Sequence, residues 1–155
     1  QLCFSNPGLR AELTRRVLEC AAQAGGRGIL AVTANDTPGP FCECEGCKAL
    51  EEKYQGPGGP LYDYLVELCG VMQAAHPGLL IKTLAYRRAQ TQKPPVLPAG
   101  ERLPENLLID FAPIEDNYFA DWSHPDPRIQ DLGTVLHLIL CEEMNTLNQL
   151  LTRGG

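Results

Sequence analysis

The chain of 155 residues has the length of one domain and a globular composition, with 44% hydrophobic and 21% charged residues. The net charge is −6 and the Lys and Arg residues form no stripe. We therefore expect no nucleic acid partner, because phosphate neutralisation needs clustered cations. No apolar run approaches the roughly 18 residues of a spanning helix, so no membrane span is expected.

The first half of the chain predicts one strand among three helices. The elements are a helix over 6–24, a strand over 28–34, and helices over 44–53 and 60–75. Asn6 is a good N-cap and Pro7 suits the first helical position, so we expect the first helix to begin there. The strand segment is apolar without alternation, which is typical of a strand buried on both faces.

The second half predicts two further strands and a C-terminal helix. The strands, over 79–86 and 106–112, are separated by a long loop with four prolines, and long loops in compact domains are often functional. After 113 a structured loop precedes a leucine-rich helical segment. We therefore divide the chain into an α/β segment, 1–128, and a C-terminal helix, 129–155.

The order of these elements predicts the fold class. Apolar strands separated by helices or long crossovers indicate an α/β fold made of parallel βα units. Three strands are too few for a closed eight-stranded barrel, which takes about 250 residues. The prediction is therefore either a small open sheet or an incomplete part of a TIM-like (β/α) barrel, whose missing strands would come from a longer chain.

Polar residues follow each predicted strand, at the edge where parallel α/β folds bind ligands. They are Asn35 and Asp36 after the first strand, Tyr86 and Arg87 after the second, and Glu115 and Asp116 after the third. This mixture of acids, an amide, an aromatic ring and an arginine suits a polyhydroxylated ligand. Trp122 and His124 in the next loop would add a stacking platform and a polar contact.

Two of these acids are the candidate catalytic residues. Glycoside hydrolysis needs two carboxylates, and Asp36 and Glu115 could form such a pair, with the other polar residues contacting the substrate. A structural explanation stays open, because strands commonly end in polar residues at the surface and Asn-Asp before Pro-Gly is favourable turn chemistry. Trp122 equally suits an apolar anchor beneath a loop.

The cysteines of the stretch NDTPGPFCECEGC form a separate candidate site. Cys42, Cys44 and Cys47 provide three soft ligands at close spacing, whereas a structural zinc normally takes four. His76 and His124 are candidate fourth ligands, although neither lies in a ligand motif. A zinc site, a disulfide between Cys42 and Cys47, and free thiols that brace the loop all stay open.

The remaining cysteines are expected to be structural. Four cysteines lie in apolar segments and are predicted to be buried thiols: Cys3, Cys20, Cys69 and Cys141. A nucleophilic cysteine is disfavoured, because such a residue needs a histidine base nearby and the sequence provides none locally.

Four consecutive segments carry a family resemblance: "NPGLRAELTRRVLE", "AVTANDTPGPFCECEGCKALEEK", "GPLYDYLVELCGVMQAAHPGLLIKTLAYR" and "PPV…LPENLLIDFAPIED". Over about residues 2–128 the chain resembles a domain-of-unknown-function family of bacterial, largely extracellular proteins. These proteins often carry an α-glucuronidase-like or hexosaminidase-like N-terminal region. The resemblance implies a glycoside-hydrolase-like (β/α) barrel, an extracellular or periplasmic location, and a sugar-facing rim that includes Asn35, Asp36 and Tyr86.

The functional expectation combines the strand-end residues with this resemblance. We expect a carbohydrate-active domain related to glycoside hydrolases, which binds or hydrolyses glycosidic bonds at the carboxyl ends of its strands. The alternative is a non-enzymatic sugar-binding or scaffold module, stabilised by a metal at the cysteines.

Overall fold

The computed structural model describes residues 2–36, 39–87, 89–91 and 93–112. Helices and strands occur in this order: α1 (Pro7–Gln23), β1 (Arg27–Ala31), α2 (Glu45–Lys53), α3 (Gly59–Ala75), β2 (Gly78–Ala85) and β3 (Leu107–Phe111). The six elements predicted before residue 113 are therefore confirmed, with β1 ending three residues earlier than expected. The helix predicted over 129–155 and the boundary at 128 lie outside the described residues.

The start of α1 follows the capping chemistry of its sequence. The Asn6 side chain accepts a hydrogen bond of 3.0 Å from the backbone N–H of Leu9, which satisfies one free donor of the first turn. Pro7 occupies the first turn, where its missing N–H costs no helical bond.

The three strands form a parallel sheet in the order β1-β2-β3, so the prediction of parallel βα units is confirmed. Ile81 of the central strand pairs with Leu30 on one side and with Leu107 on the other. Because all three strands run in the same direction, their carboxyl ends lie at one edge of the sheet. The loops after β1 and β2 therefore begin at the same edge, with β2 extending three residues beyond the pair of Ala31 and Lys82.

One expectation about β1 is wrong. The apolar run was predicted to be buried on both faces, but Ile29 is 56% exposed. The described sheet has β1 at an edge, and only the face with Leu30 contributes to the core. An apolar run without alternation indicates a strand, but it does not determine whether both faces are covered.

The core lies between one face of the sheet and the helices. Burial alternates along β2: Leu79, Ile81, Thr83 and Ala85 are buried and the residues between them are half-buried. The buried face packs against α3, whose Leu65, Leu68 and Met72 are also buried. Period-two burial of this kind fixes the register of the strand against its neighbours.

The N-terminal segment before α1 is held in this core by aromatic contacts. The ring of Phe4 stacks on Tyr64 of α3, with centroids 5.7 Å apart, and meets Phe41 edge-to-face at 5.8 Å. Such pairs stabilise a core beyond their buried area. Phe4 therefore brings the N-terminal segment and the loop after β1 against the same helix.

A charged network around Asp63 joins the three helices. Its carboxylate accepts hydrogen bonds from Arg10 of α1 at 2.8 Å, from Lys53 of α2 at 3.0 Å, and from the Tyr54 hydroxyl at 3.0 Å. Burial alone would raise the pKa of Asp63, but these donors outweigh it and hold that pKa below its usual value. The negatively charged side chain of Asp63 thus links α3 to α1 and α2.

Replacing Asp63→Asn should lower the free energy of unfolding by about 1–3 kcal/mol, because three donors lose their ionised acceptor. The folded pKa is depressed, so this stabilisation is complete above the unfolded pKa of about 4 and is lost as the pH falls through the lower folded value. Urea unfolding at a series of pH values measures both effects. Asp110→Asn, at an exposed pair with Lys82, is the matched control, with an expected change under about 0.5 kcal/mol.

Two glycines of α3 should respond in opposite ways to alanine. A Cβ at Gly59 would overlap the backbone carbonyl of Leu50, whereas a Cβ at Gly70 meets nothing within 4 Å. Gly59→Ala should therefore destabilise the fold by about 1–3 kcal/mol, and Gly70→Ala should stabilise it by about 0.5–1 kcal/mol. Equal effects in thermal unfolding would show that α2 and α3 do not approach as closely as the structure has them.

Candidate functional site

Four cysteines converge at the junction of the N-terminal segment, the loop after β1 and α2. They are Cys3, Cys42, Cys44 and Cys47, and their sulfur atoms all lie within 4.8 Å of one another. The Cys3 Sγ atom is 3.6 Å from that of Cys44 and 3.9 Å from that of Cys47. This cluster, which we call the four-cysteine cluster, could hold a metal ion such as zinc.

Local structure explains how the sulfurs meet. Cys44 is the N-cap of α2 with extended backbone angles, and Cys47 lies in the first turn, so their side chains lie at the same end of the helix. The Phe4–Phe41 ring contact holds the neighbouring Cys3 and Cys42 together. Gly46 permits the approach, because a Cβ there would lie 2.8 Å from the Ser5 hydroxyl.

Ser5 makes hydrogen bonds within the cluster. Its hydroxyl oxygen lies 3.4 Å from the sulfur of Cys3, 3.3 Å from that of Cys44 and 3.4 Å from that of Cys47. The hydrogen bond from Ser5, followed by the backbone N–H of Cys47, lowers the pKa of Cys44 to about 6. Burial, in contrast, raises the pKa of Cys47. The thiolate is the form of cysteine that binds metals, so the hydrogen bonds to Cys44 favour metal binding.

The cluster corrects several predictions about the cysteines. Cys3 was predicted to be a buried thiol, but it is half-buried and is the fourth member of the cluster. Cys20 was also predicted to be buried and is exposed, whereas the burial of Cys69 is confirmed. The described cysteines are free thiols, with no disulfide between Cys42 and Cys47.

Of the two histidines proposed as a fourth ligand, only His76 lies among the described residues. His76 follows α3 and is not among the clustered ligands, and His124 and Cys141 lie outside the described residues. Nothing in the local spacing points to Cys3, which is 41 positions from Cys44. Only the folding of the N-terminal segment onto α2 brings them together.

A second group of polar side chains lies at the carboxyl edge of the sheet. The Asp36 carboxylate, after β1, accepts a hydrogen bond of 2.7 Å from the Arg87 guanidinium, after β2. The Arg87 guanidinium carbon is also 5.2 Å from the centre of the Tyr86 ring, within cation–π range. The structure therefore brings together Asp36, Tyr86 and Arg87, which we call the strand-end triad.

The two charged members of the triad differ in exposure. The Asp36 side chain is 71% exposed and that of Arg87 is 17% exposed. The hydrogen bond from Arg87, with a smaller contribution from Tyr86, holds the pKa of Asp36 below its usual range. The carboxylate is thus ionised and open to solvent, while the guanidinium is held against the protein.

Gln90 and Thr91, which sequence reasoning missed, support this edge. Gln90 is fully buried and its side-chain amide donates a 2.7 Å hydrogen bond to the carbonyl of Gly39. Thr91 accepts a 3.1 Å bond from the backbone N–H of Tyr86. Polar residues in a polar loop carry no sequence signal of burial, so only the fold identifies them.

Of the remaining predicted site residues, only Asn35 lies among the described residues. Asn35 is exposed beside Asp36. Four lie outside the described residues: Glu115, Asp116, Trp122 and His124. Their predicted roles, including the pairing of Glu115 with Asp36, stay predictions.

The fold and the site together define a mixed α/β domain with a parallel sheet and a four-cysteine cluster. The chain belongs to the family described as Domain of unknown function (DUF4838), whose profile matches residues 1–132. No curated protein and no solved structure matches the chain. No helix in the part of the chain that the structure describes is long and apolar enough to cross a membrane.

Arg87→Met should raise the pKa of Asp36 towards the ordinary aspartate value of about 3.9, because its strongest hydrogen-bond donor is lost. The global stability should change by less than about 1 kcal/mol, because the Asp36 side chain of the pair is 71% exposed and water screens the interaction. NMR titration of the Asp36 carboxyl carbon measures the shift. Arg102→Met, at an exposed loop position, should leave that titration unchanged; an equal shift in both variants would contradict the pairing.

Proposed function

We propose that this domain provides a carbohydrate-binding rim at the carboxyl ends of its parallel strands. The single observation that supports this function is the strand-end triad, in which Asp36 and Arg87 meet although they are 51 positions apart. Ligands of parallel α/β folds bind outside this edge of the sheet. The supporting residues, Gln90 and Thr91, lie in the loop that follows β2.

The chemistry of the triad suits sugar hydroxyls. The exposed Asp36 carboxylate can accept hydrogen bonds from two adjacent hydroxyl groups, and hydrogen bonds to ionised groups are the stronger ones. Arg87 supplies donors, and the half-buried ring of Tyr86 offers an apolar surface of the kind that sugar rings contact. Because Arg87 and Tyr86 already hold the carboxylate in place, little ordering would be needed on binding.

If the domain hydrolyses glycosidic bonds, the lowered pKa of Asp36 decides its role. A general acid must be protonated at the working pH, which requires a raised pKa. The pKa of Asp36 is lowered by Arg87, so Asp36 would act as the nucleophile or as the base. The acid would then be a second carboxyl group, for which Glu115 is the sequence-based candidate.

The sheet also supports the proposal that these βα units are a segment of a TIM-like barrel. The core helices pack on the face that carries Leu79 and Ile81. The opposite face carries Leu80, Leu84 and the ion pair between Lys82 and Asp110 at 3.1 Å. In a (β/α) barrel the helices cover one face, and side chains of the other fill the interior.

A non-enzymatic sugar-binding or scaffold module is the second candidate function. It is favoured by the four-cysteine cluster, because a metal with four protein ligands has no open position for substrate and therefore stabilises structure. Turnover separates the two candidates: a scaffold or lectin-like module would bind sugar, or a partner, without cleaving a glycosidic bond.

Asp36→Asn tests the proposed rim. The change keeps the shape of the side chain and removes its charge, so the affinity for an oligosaccharide bound by the wild type should fall by about 10-fold or more. Calorimetry against a panel of neutral, amino-sugar and uronic-acid oligosaccharides measures it. If hydrolysis is detected with any of them, turnover should be abolished in the same variant.

The matched control is Glu105→Gln, which removes an exposed carboxylate just before β3, at the opposite edge of the sheet. Its affinity should stay within about twofold of the wild type, because the change lies far from the carboxyl ends. If no oligosaccharide of the panel binds the wild type, or if both variants bind equally well, the rim proposal is wrong.

A further inference from the structure

We propose that Cys3, Cys42, Cys44 and Cys47 bind one zinc ion in a tetrahedral site that fastens the N-terminal segment to α2. The distances between the sulfur atoms fit such a site. Four sulfurs arranged tetrahedrally at about 2.3 Å from zinc lie about 3.8 Å from one another. The distances from Cys3 to Cys44 and Cys47 are 3.6 and 3.9 Å, which match this value, and the sulfurs all lie within 4.8 Å of one another.

The same distances argue against a disulfide. Sulfur atoms of a disulfide are about 2.05 Å apart and are joined in pairs, whereas all four sulfurs here lie within 4.8 Å of one another. Four side chains directed at one point suit a single central ion. Cys20, in contrast, is exposed and lies outside the cluster.

The groups around the sulfurs also suit a bound metal. Zinc bound by four thiolates carries a net charge of −2, which must be stabilised by hydrogen-bond donors and by positive ends of dipoles. Cys44 and Cys47 lie at the N-terminal end of α2, where the helix dipole is positive. Backbone N–H groups and the Ser5 hydroxyl also point at the sulfurs.

The ligand set points to zinc in a structural role. Tetrahedral sites of four thiolates select zinc or iron, and zinc needs no redox partner. Because the protein supplies all four ligands, no position is left for a substrate or a water molecule. Binding converts the protonated thiols to thiolates and releases their protons, so zinc affinity should rise with pH.

A zinc ion at this site would link two parts of the chain that are far apart in sequence. Cys3 and Cys44 are 41 positions apart, and the loop between β1 and α2 carries Asp36, Cys42 and Cys44. Zinc would therefore stabilise the segment that returns from the strand-end triad to α2. The metal chemistry depends only on the four cysteines, so it stands whether or not the rim binds sugar.

Metal analysis of the full chain, purified without chelators and then incubated with zinc, is the first test. We expect about one zinc per chain and an X-ray absorption spectrum of four sulfur neighbours at about 2.3 Å. Substoichiometric zinc, iron as the bound metal, or nitrogen and oxygen neighbours would overturn the proposal.

Differential alkylation identifies the ligands without any substitution. In the folded, zinc-loaded chain the four ligands should be protected. Adding a chelator should make Cys3, Cys42 and Cys44 reactive, whereas Cys47 stays protected because it is buried. Cys20 should react equally in both states because it is exposed. Protection of only three cysteines, with Cys3 reactive throughout, would overturn the four-ligand site.

Cys3→Ser with Cys20→Ser as its control completes the test. Loss of a ligand should weaken zinc binding by more than the roughly 10–100-fold that loss of an outer hydrogen-bond partner typically costs. Cys20→Ser should bind zinc as the wild type does. Equal zinc affinity in the two variants would overturn the role of Cys3. Oligosaccharide binding, measured separately, fails or succeeds independently of these results.

Discussion

The contact of Phe4 with Tyr64 and Phe41 is the interaction on which the four-cysteine cluster depends. It attaches the segment before α1 to α3, and it attaches the loop after β1 to the same place. Cys3 and Cys42 are the direct neighbours of these two phenylalanines in the sequence. An apolar contact in the core thus holds Cys3 and Cys42 together, and the N-terminal end of α2 supplies Cys44 and Cys47.

Parallel strand direction has an equivalent role at the other site. Ala31 pairs with Lys82 in register, and Asp36 and Arg87 each follow their member of this pair by five residues. The polar residues that follow therefore meet, and the buried amide of Gln90 then joins the two loops through Gly39. Arg87 is held against Tyr86, which leaves the Asp36 carboxylate as the accessible group of the triad.

Sequence reasoning succeeded where the cause is local. Asn6 and Pro7 specify the start of α1 through capping, and short apolar runs identified all three strands of the described sheet. It failed where the cause is tertiary: Cys3 lies in no motif with Cys44, and the exposure of Ile29 depends on which strand lies at the edge. Gln90 belongs to the same group, because its burial arises only when two loops pack together.

The position of Cys3 changes how this domain should be cut for experiments. A designer who trims to the first helix would remove residues 2–5 as a dispensable tail. That cut would remove one of the four clustered sulfurs, the serine that hydrogen-bonds to the cluster, and an aromatic ring of the core. The smallest piece worth expressing therefore begins ahead of the first helix, and a histidine-rich affinity tag, which competes for zinc, should not be attached directly before Cys3.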